Sequence, residues 1–111
     1  MSTIFTKILS GEIPSDRVYE DEQCIAFRDI NPVADTHILV IPRREIPQLD
    51  QMVTDDEGLV GHLMRVATIV AKQEGLDAFR LVVNNGAGAG QTVFHLHLHV
   101  IGGRSLTWPP G

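Results

Sequence analysis

Apolar and polar positions follow two periods along this chain, and each switch between them marks an element. Ile4, Phe5, Ile8 and Leu9 fall at helical spacing, which predicts a short helix over residues 3–9 ending near Gly11 and Pro14. Two short apolar runs at 18–20 and 24–28 flank the turn-like Asp21-Glu22-Gln23 and read as a hairpin. The sequence Asp29-Ile30-Asn31-Pro32 then breaks the direction, because a residue before proline is pushed out of the helical region. The run 36–41, interrupted only by His37 and closed by Pro42, predicts a central strand. Thr54-Asp55-Asp56-Glu57 has the form of a capping box, and Leu59, Leu63, Val66 and Val70 form the stripe of one long helix of about 20 residues that Gly75 stops. Runs at 79–84 and 93–101, joined by the glycine-rich stretch 85–90, predict two further strands. The expectation is an α+β fold, a mostly antiparallel sheet with the helix on one face.

Composition narrows the class without changing that picture. The 111 residues are 43% hydrophobic and 21% charged, with no repeat or linker, which fits one globular domain over 1–111. No segment approaches the roughly 18 uninterrupted apolar residues a membrane span needs, and no leader-like N-terminus is visible, so a soluble cytoplasmic protein is expected. Cys24 is the only cysteine, so there is no intrachain disulfide and no Cys-rich zinc site, and its thiol reads as a core filler. A net charge of −5 and 5% aromatic residues disfavour binding to a nucleic-acid polymer, though a single nucleotide needs no basic stripe.

The candidate chemistry lies in Phe94-His95-Leu96-His97-Leu98-His99-Val100-Ile101, where imidazole and aliphatic side chains alternate. On a strand this places His95, His97 and His99 on one face and Leu96, Leu98 and Val100 in the core. Adjacent imidazoles need partners and repel when charged, so a purely structural row is a poor explanation. A metal site is one reading, with His37 as a further nitrogen ligand, but no Asp or Glu follows Asp77 to support it. The other is metal-free transfer at phosphorus, with an imidazole as nucleophile and its neighbours carrying protons. Asn84 and the loop Gly86-Ala87-Gly88-Ala89-Gly90-Gln91-Thr92 favour the second, because glycines let backbone N–H groups approach an anion. The loop is neither a Walker A nor a dinucleotide fingerprint, since it leads into a strand.

His95-Leu96-His97-Leu98-His99-Val100-Ile101 resembles the signature of the histidine triad superfamily. The likeness extends through Ile4-Phe5, Ile13-Pro14, Phe27-Arg28-Asp29-Ile30, 36–42, Gly90-Gln91, Gly102-Gly103-Arg104 and Trp108-Pro109-Pro110-Gly111, all similar to the Hint branch. The resemblance implies a five-stranded sheet with one long and one short N-terminal helix. It also implies hydrolysis of purine nucleoside phosphoramidates; no cofactor is expected, and the single cysteine and the carboxylate-free stretch after Asp77 predict no metal in the catalytic step. His97 would be the nucleophile, and His99 would meet the phosphate and assist proton transfer. His95 and His37 would orient the row, and Thr92 would stand near the leaving group. Asp29 would hold the ribose hydroxyls, while Ile4, Phe5, Ile8, Phe27, Ile30 and Leu39 would form the slot for the base. Asn84, Gly90 and Gln91 would complete the nucleotide site. The superfamily's transferase branch carries Gln where this chain has His99, which favours water as the final acceptor.

Two other functions fit the same residues, a dinucleotide polyphosphate hydrolase of the superfamily and a nucleotide-binding adaptor with little turnover. The loop side chains are small where relatives carry polar ones, so the amine they favour is open. His62, at the flank of the helix stripe, reads as structural. The resemblance further implies a homodimer. Its two-proline tail would form an extended strap over 105–111 carrying Trp108 to the partner's site.

Overall fold

The computed structural model describes residues 2–111. Helix α1 (Ile4–Ser10) starts where the Thr3 hydroxyl accepts hydrogen bonds from the Phe5 and Thr6 amides, and stops at Gly11, whose φ of 83° only glycine adopts readily. Strands β1 (Arg17–Glu20), β2 (Cys24–Arg28) and β3 (Thr36–Pro42) follow, then helix α2 (Glu57–Gln73), β4 (Phe79–Val82) and β5 (Leu98–Gly102). The strands form one antiparallel sheet in the order β1-β2-β3-β5-β4. The α+β class, the five strands and the long and short helices agree with the sequence expectation. Among the described residues no helix is long and apolar enough to cross a membrane.

Strand alternation splits the core in two. Cys24, Ala26, Ile38, Val40, Leu96, Leu98 and Val100 point to one face and pack on Leu63, Val66, Ala67 and Val70 of α2. Burial of each larger aliphatic side chain there contributes about 1.5–3 kcal/mol. Ile25, Phe27, Leu39 and Ile41 point to the other face and meet Phe5 and Ile8 of α1. The Arg28 guanidinium makes paired bonds of 2.8 and 2.9 Å to Glu74, tying the end of β2 to the C-terminus of α2.

Three expected boundaries move. The strand expected over 93–101 begins only at Leu98, so His99 alone of the row lies on it. Its pairing with β3 ends at Val40↔Leu98; two residues on, the same register would set Leu96 against Pro42, which has no N–H to give. The Leu96 amide turns instead to the Ile46 carbonyl, 2.6 Å away. The strand expected over 79–84 stops at Val82 for the same cause, since its partner begins opposite at His99 and Leu98. The capping box expected at Thr54–Glu57 does not form: Asp56 Oδ2 accepts from the Val53 amide at 3.0 Å, and a single 3₁₀ turn, Thr54–Asp56, precedes a helix of 17 residues.

Candidate active site

Helix α1 packs on β2 and β3, and between it and these strands opens a pocket of about 360 Å³. Ile4, Phe5, Ile8, Phe27, Ile30 and Leu39 line it, as do Asp29, Thr92, His97 and His99. Ile13, Pro14, Ser15, Arg28, Asn31 and Val93 complete the wall and were not among the expected site residues. Ile30 is 87% exposed at the mouth, which an isolated apolar residue of a stable core would not be.

The histidines divide into two hydrogen-bonded arrangements. His97 Nδ1 donates to the carbonyl of His95 at 2.8 Å. A carbonyl only accepts, so the ring proton sits on Nδ1 and Nε2 keeps a free lone pair. The edge-on ring of Phe5, with centroids 5.0 Å apart, holds the imidazole against α1. His95 is itself fully buried, its Nε2 donating to the Pro42 carbonyl at 2.7 Å, and it lies behind the pocket, outside its wall. It therefore braces the segment that carries His97.

His37 and His99 form the second arrangement. The Val33 amide donates to His37 Nδ1, which leaves the His37 proton on Nε2, 2.9 Å from His99 Nδ1 and 3.5 Å from Asp29 Oδ2. His99 then accepts at Nδ1 and carries its own proton on Nε2, a buried donor without a protein partner. A buried polar atom left unpaired is costly, so an acceptor delivered by a ligand would be stabilised there. Burial lowers the pKa of all three row histidines, and for His99 the neighbouring His97 and His37 push it further, to about 4. The row is thus uncharged at neutral pH. Asp29 Oδ1 accepts from the Asn31 amide at 2.8 Å, which fixes the carboxylate at the pocket wall. Ligand atoms of Asp29, His37 and His99 lie within 4.8 Å of one another, and an ion there would have to replace the His37–His99 hydrogen bond.

The remaining expected residues fall elsewhere. Gln91 is buried as a brace: its Oε1 accepts from the Gly86 amide, and its Nε2 donates to the carbonyls of Pro47 and Val93. It shapes the loop and does not face the pocket. Gly90 has φ 97°, and Asn84 lies beside it; neither lines the pocket. Trp108 is 81% exposed, so it does not fold back onto this chain. Its strap is held by Arg80, which donates to the Thr107 carbonyl at 2.8 Å.

The pocket thus brings together an imidazole with an unprotonated Nε2, a buried donor without a protein partner and a carboxylate, at the edge of an apolar slot. Residues 10–106 match the HIT domain family, and the chain belongs to that family. An uncharacterized HIT-like protein of Synechocystis is 56% identical over 98% of this chain and 96% of its own length. Among solved structures, a HIT family hydrolase from Legionella pneumophila superposes with a TM-score of 0.96 at 46% identity, covering 99% of this chain and 100% of that one. A histidine triad nucleotide-binding protein from Candida albicans gives 0.83 at 31% identity, covering 97% and 83%.

Proposed function

We propose that this protein hydrolyses purine nucleoside phosphoramidates through a nucleotidyl intermediate on His97. The observation that carries the reading is the His97 tautomer. A nucleophile needs a lone pair at neutral pH, and the His95 carbonyl fixes that lone pair on the nitrogen facing the pocket.

In the first half-reaction Nε2 attacks phosphorus and the phosphorus–nitrogen bond breaks. The departing nitrogen must gain a proton. The anionic phosphate stabilises an added proton on the coupled His37–His99 pair, and that proton passes to the amine. Water then attacks the phosphorus, returns a proton to the pair and releases the nucleotide from His97. The unpaired His99 Nε2–H meets a phosphoryl oxygen of the bound substrate, and it is from this nitrogen that the proton leaves for the amine and to it that water's proton returns. Asp29 accepts from the ribose hydroxyls, and the slot between α1 and β2–β3 takes the base. The names of the Legionella and Candida relatives, a hydrolase and a nucleotide-binding protein, support hydrolysis at a nucleotide. The exposed Trp108 supports a homodimer in which each strap reaches the other copy's site and contacts the amine side.

A burst-and-turnover assay with a fluorogenic adenosine phosphoramidate tests the reading. A burst stoichiometric with protein, followed by steady turnover, is expected. Faster cleavage of a dinucleotide polyphosphate would favour that rival activity. Adenosine monophosphate binding with neither burst nor turnover would make the protein an adaptor.

A further inference from the structure

A second group of chemistry-bearing side chains lies on the opposite face of the sheet, where the β1–β2 turn meets α2. Asp21 is its centre. Asp21 Oδ1 accepts from the amides of Gln23 and Cys24 at 2.7 and 2.9 Å, and Oδ2 accepts from Tyr19 Oη at 2.9 Å and His62 Nε2 at 2.7 Å. Arg43 Nε donates to the Asp21 backbone carbonyl, so the turn is held from both sides. From these placements we propose that Asp21, Cys24 and His62 form a binding site for a zinc-like divalent transition-metal ion that staples the β1–β2 hairpin to helix α2.

The geometry carries the proposal. One ligand atom from each residue, a carboxylate oxygen, the thiol sulfur and an imidazole nitrogen, lies within 4.8 Å of the other two. Bonds of about 2.0–2.3 Å around a tetrahedral ion place ligand atoms roughly 3.3–3.8 Å apart, so the Asp21–His62 contact, now 2.7 Å, opens slightly to admit the ion while the sulfur stays within reach. The donor set selects the ion. A sulfur and an imidazole nitrogen suit zinc, cobalt or cadmium and give little to magnesium or calcium, which take oxygen. Cys24 is fully buried, while the side chains of His62 and Asp21 are 29% and 25% exposed, so the ion enters from the helix side and a water can take the fourth position.

Binding balances as follows. The Cys24 S–H bond breaks and its proton leaves to solvent, while His62 carries its proton on Nδ1 so that Nε2 can bind. Metal–sulfur, metal–nitrogen and metal–oxygen bonds replace the hydrogen bonds now centred on Asp21. Burial, with the Asp21 charge, pushes the free thiol up to about 12, so affinity rises steeply with pH as the metal competes with that proton. The site lies away from the pocket, so catalysis at His97 does not need it. The lone cysteine rules out a Cys-rich zinc site; here the fold supplies the other two ligands from 3 and 38 residues away.

The test is titration of chelator-stripped, reduced full-length protein with cobalt(II). One equivalent should bind, with a thiolate-to-cobalt absorption band in the near ultraviolet and d–d bands of tetrahedral intensity. Zinc should displace it and raise Tm. Cys24→Ser should abolish the charge-transfer band while leaving phosphoramidate turnover unchanged. Because Cys24 packs in the core, His62→Gln on the half-exposed helix face provides a second arm: it should weaken cobalt binding at least tenfold in a normally folded protein. The proposal is overturned if no band appears, or if it persists in both variants. Cobalt that binds both variants as tightly as the parent, but is lost in His37→Ala, would place the ion at the catalytic histidines and equally refute it.

Discussion

The two faces of the sheet are made by the same strands, one residue apart, yet they have opposite characters. On the α2 side, every side chain in the buried cluster is apolar or a neutral thiol, and a 17-residue helix seals it. On the α1 side a seven-residue helix packs on β2 and β3 and leaves a pocket whose wall includes imidazoles and a carboxylate. Leu98 and Val100 pack in the α2 core while His99 between them lines the pocket. Strand alternation therefore lets one segment serve stability and reactivity without placing a polar group in the sealed core.

The sharpest way to break this division is on the reactive side. His97→Ala should lower turnover of a phosphoramidate by several orders of magnitude while leaving adenosine monophosphate binding and Tm nearly unchanged, measured by steady-state kinetics, calorimetry and thermal melting. Retention of more than about a tenth of the activity would rule out His97 as nucleophile. The reverse experiment is Leu63→Ala on the sealed side. It should cost about 2–5 kcal/mol in denaturant unfolding, with kcat of the folded fraction unchanged.

A smaller effect links the faces through pH. Row histidines with folded pKa values below the unfolded value of about 6.5 bind protons more readily once unfolded. Stability should thus be full above that value and fall as pH drops towards about 4, the range set by His99. Unfolding measured across this range should show the loss diminished in His99→Asn; an identical slope would remove His99 as its source. The smallest effect belongs to the strap. Deleting residues 108–111 should leave adenosine monophosphate binding intact and change the order of kcat/KM among amine leaving groups. An unchanged order would take Trp108 out of specificity.

The sequence exposed the alternation at 94–101 because its period is local, and Leu96, Leu98 and Val100 do reach the α2 core. It did not expose where β5 begins, since that depends on Pro42, more than fifty residues earlier, standing opposite Leu96. Gln91 sits beside the motif and reads as a ligand contact, but its three hydrogen bonds go to a loop and to a segment over forty residues away. Ser15 and Asn31 reach the pocket because the chain doubles back around β2, and neither has a pattern of its own. The resemblance to the histidine triad superfamily identified the family; the assignment of protons to particular nitrogens needed the fold.

That assignment has a practical corollary for His97. Its hydrogen bond spans only two residues of a single stretch of chain, from a ring to the carbonyl of His95. The choice of tautomer is therefore written into the three residues 95–97, while Phe5 and the His95–Pro42 hydrogen bond hold that passage in place. Such a passage is portable. Transplanted with its backbone shape intact into another scaffold, it should bring a correctly oriented nucleophile with it, whereas the His37–His99 pairing, which joins two strands, would have to be rebuilt.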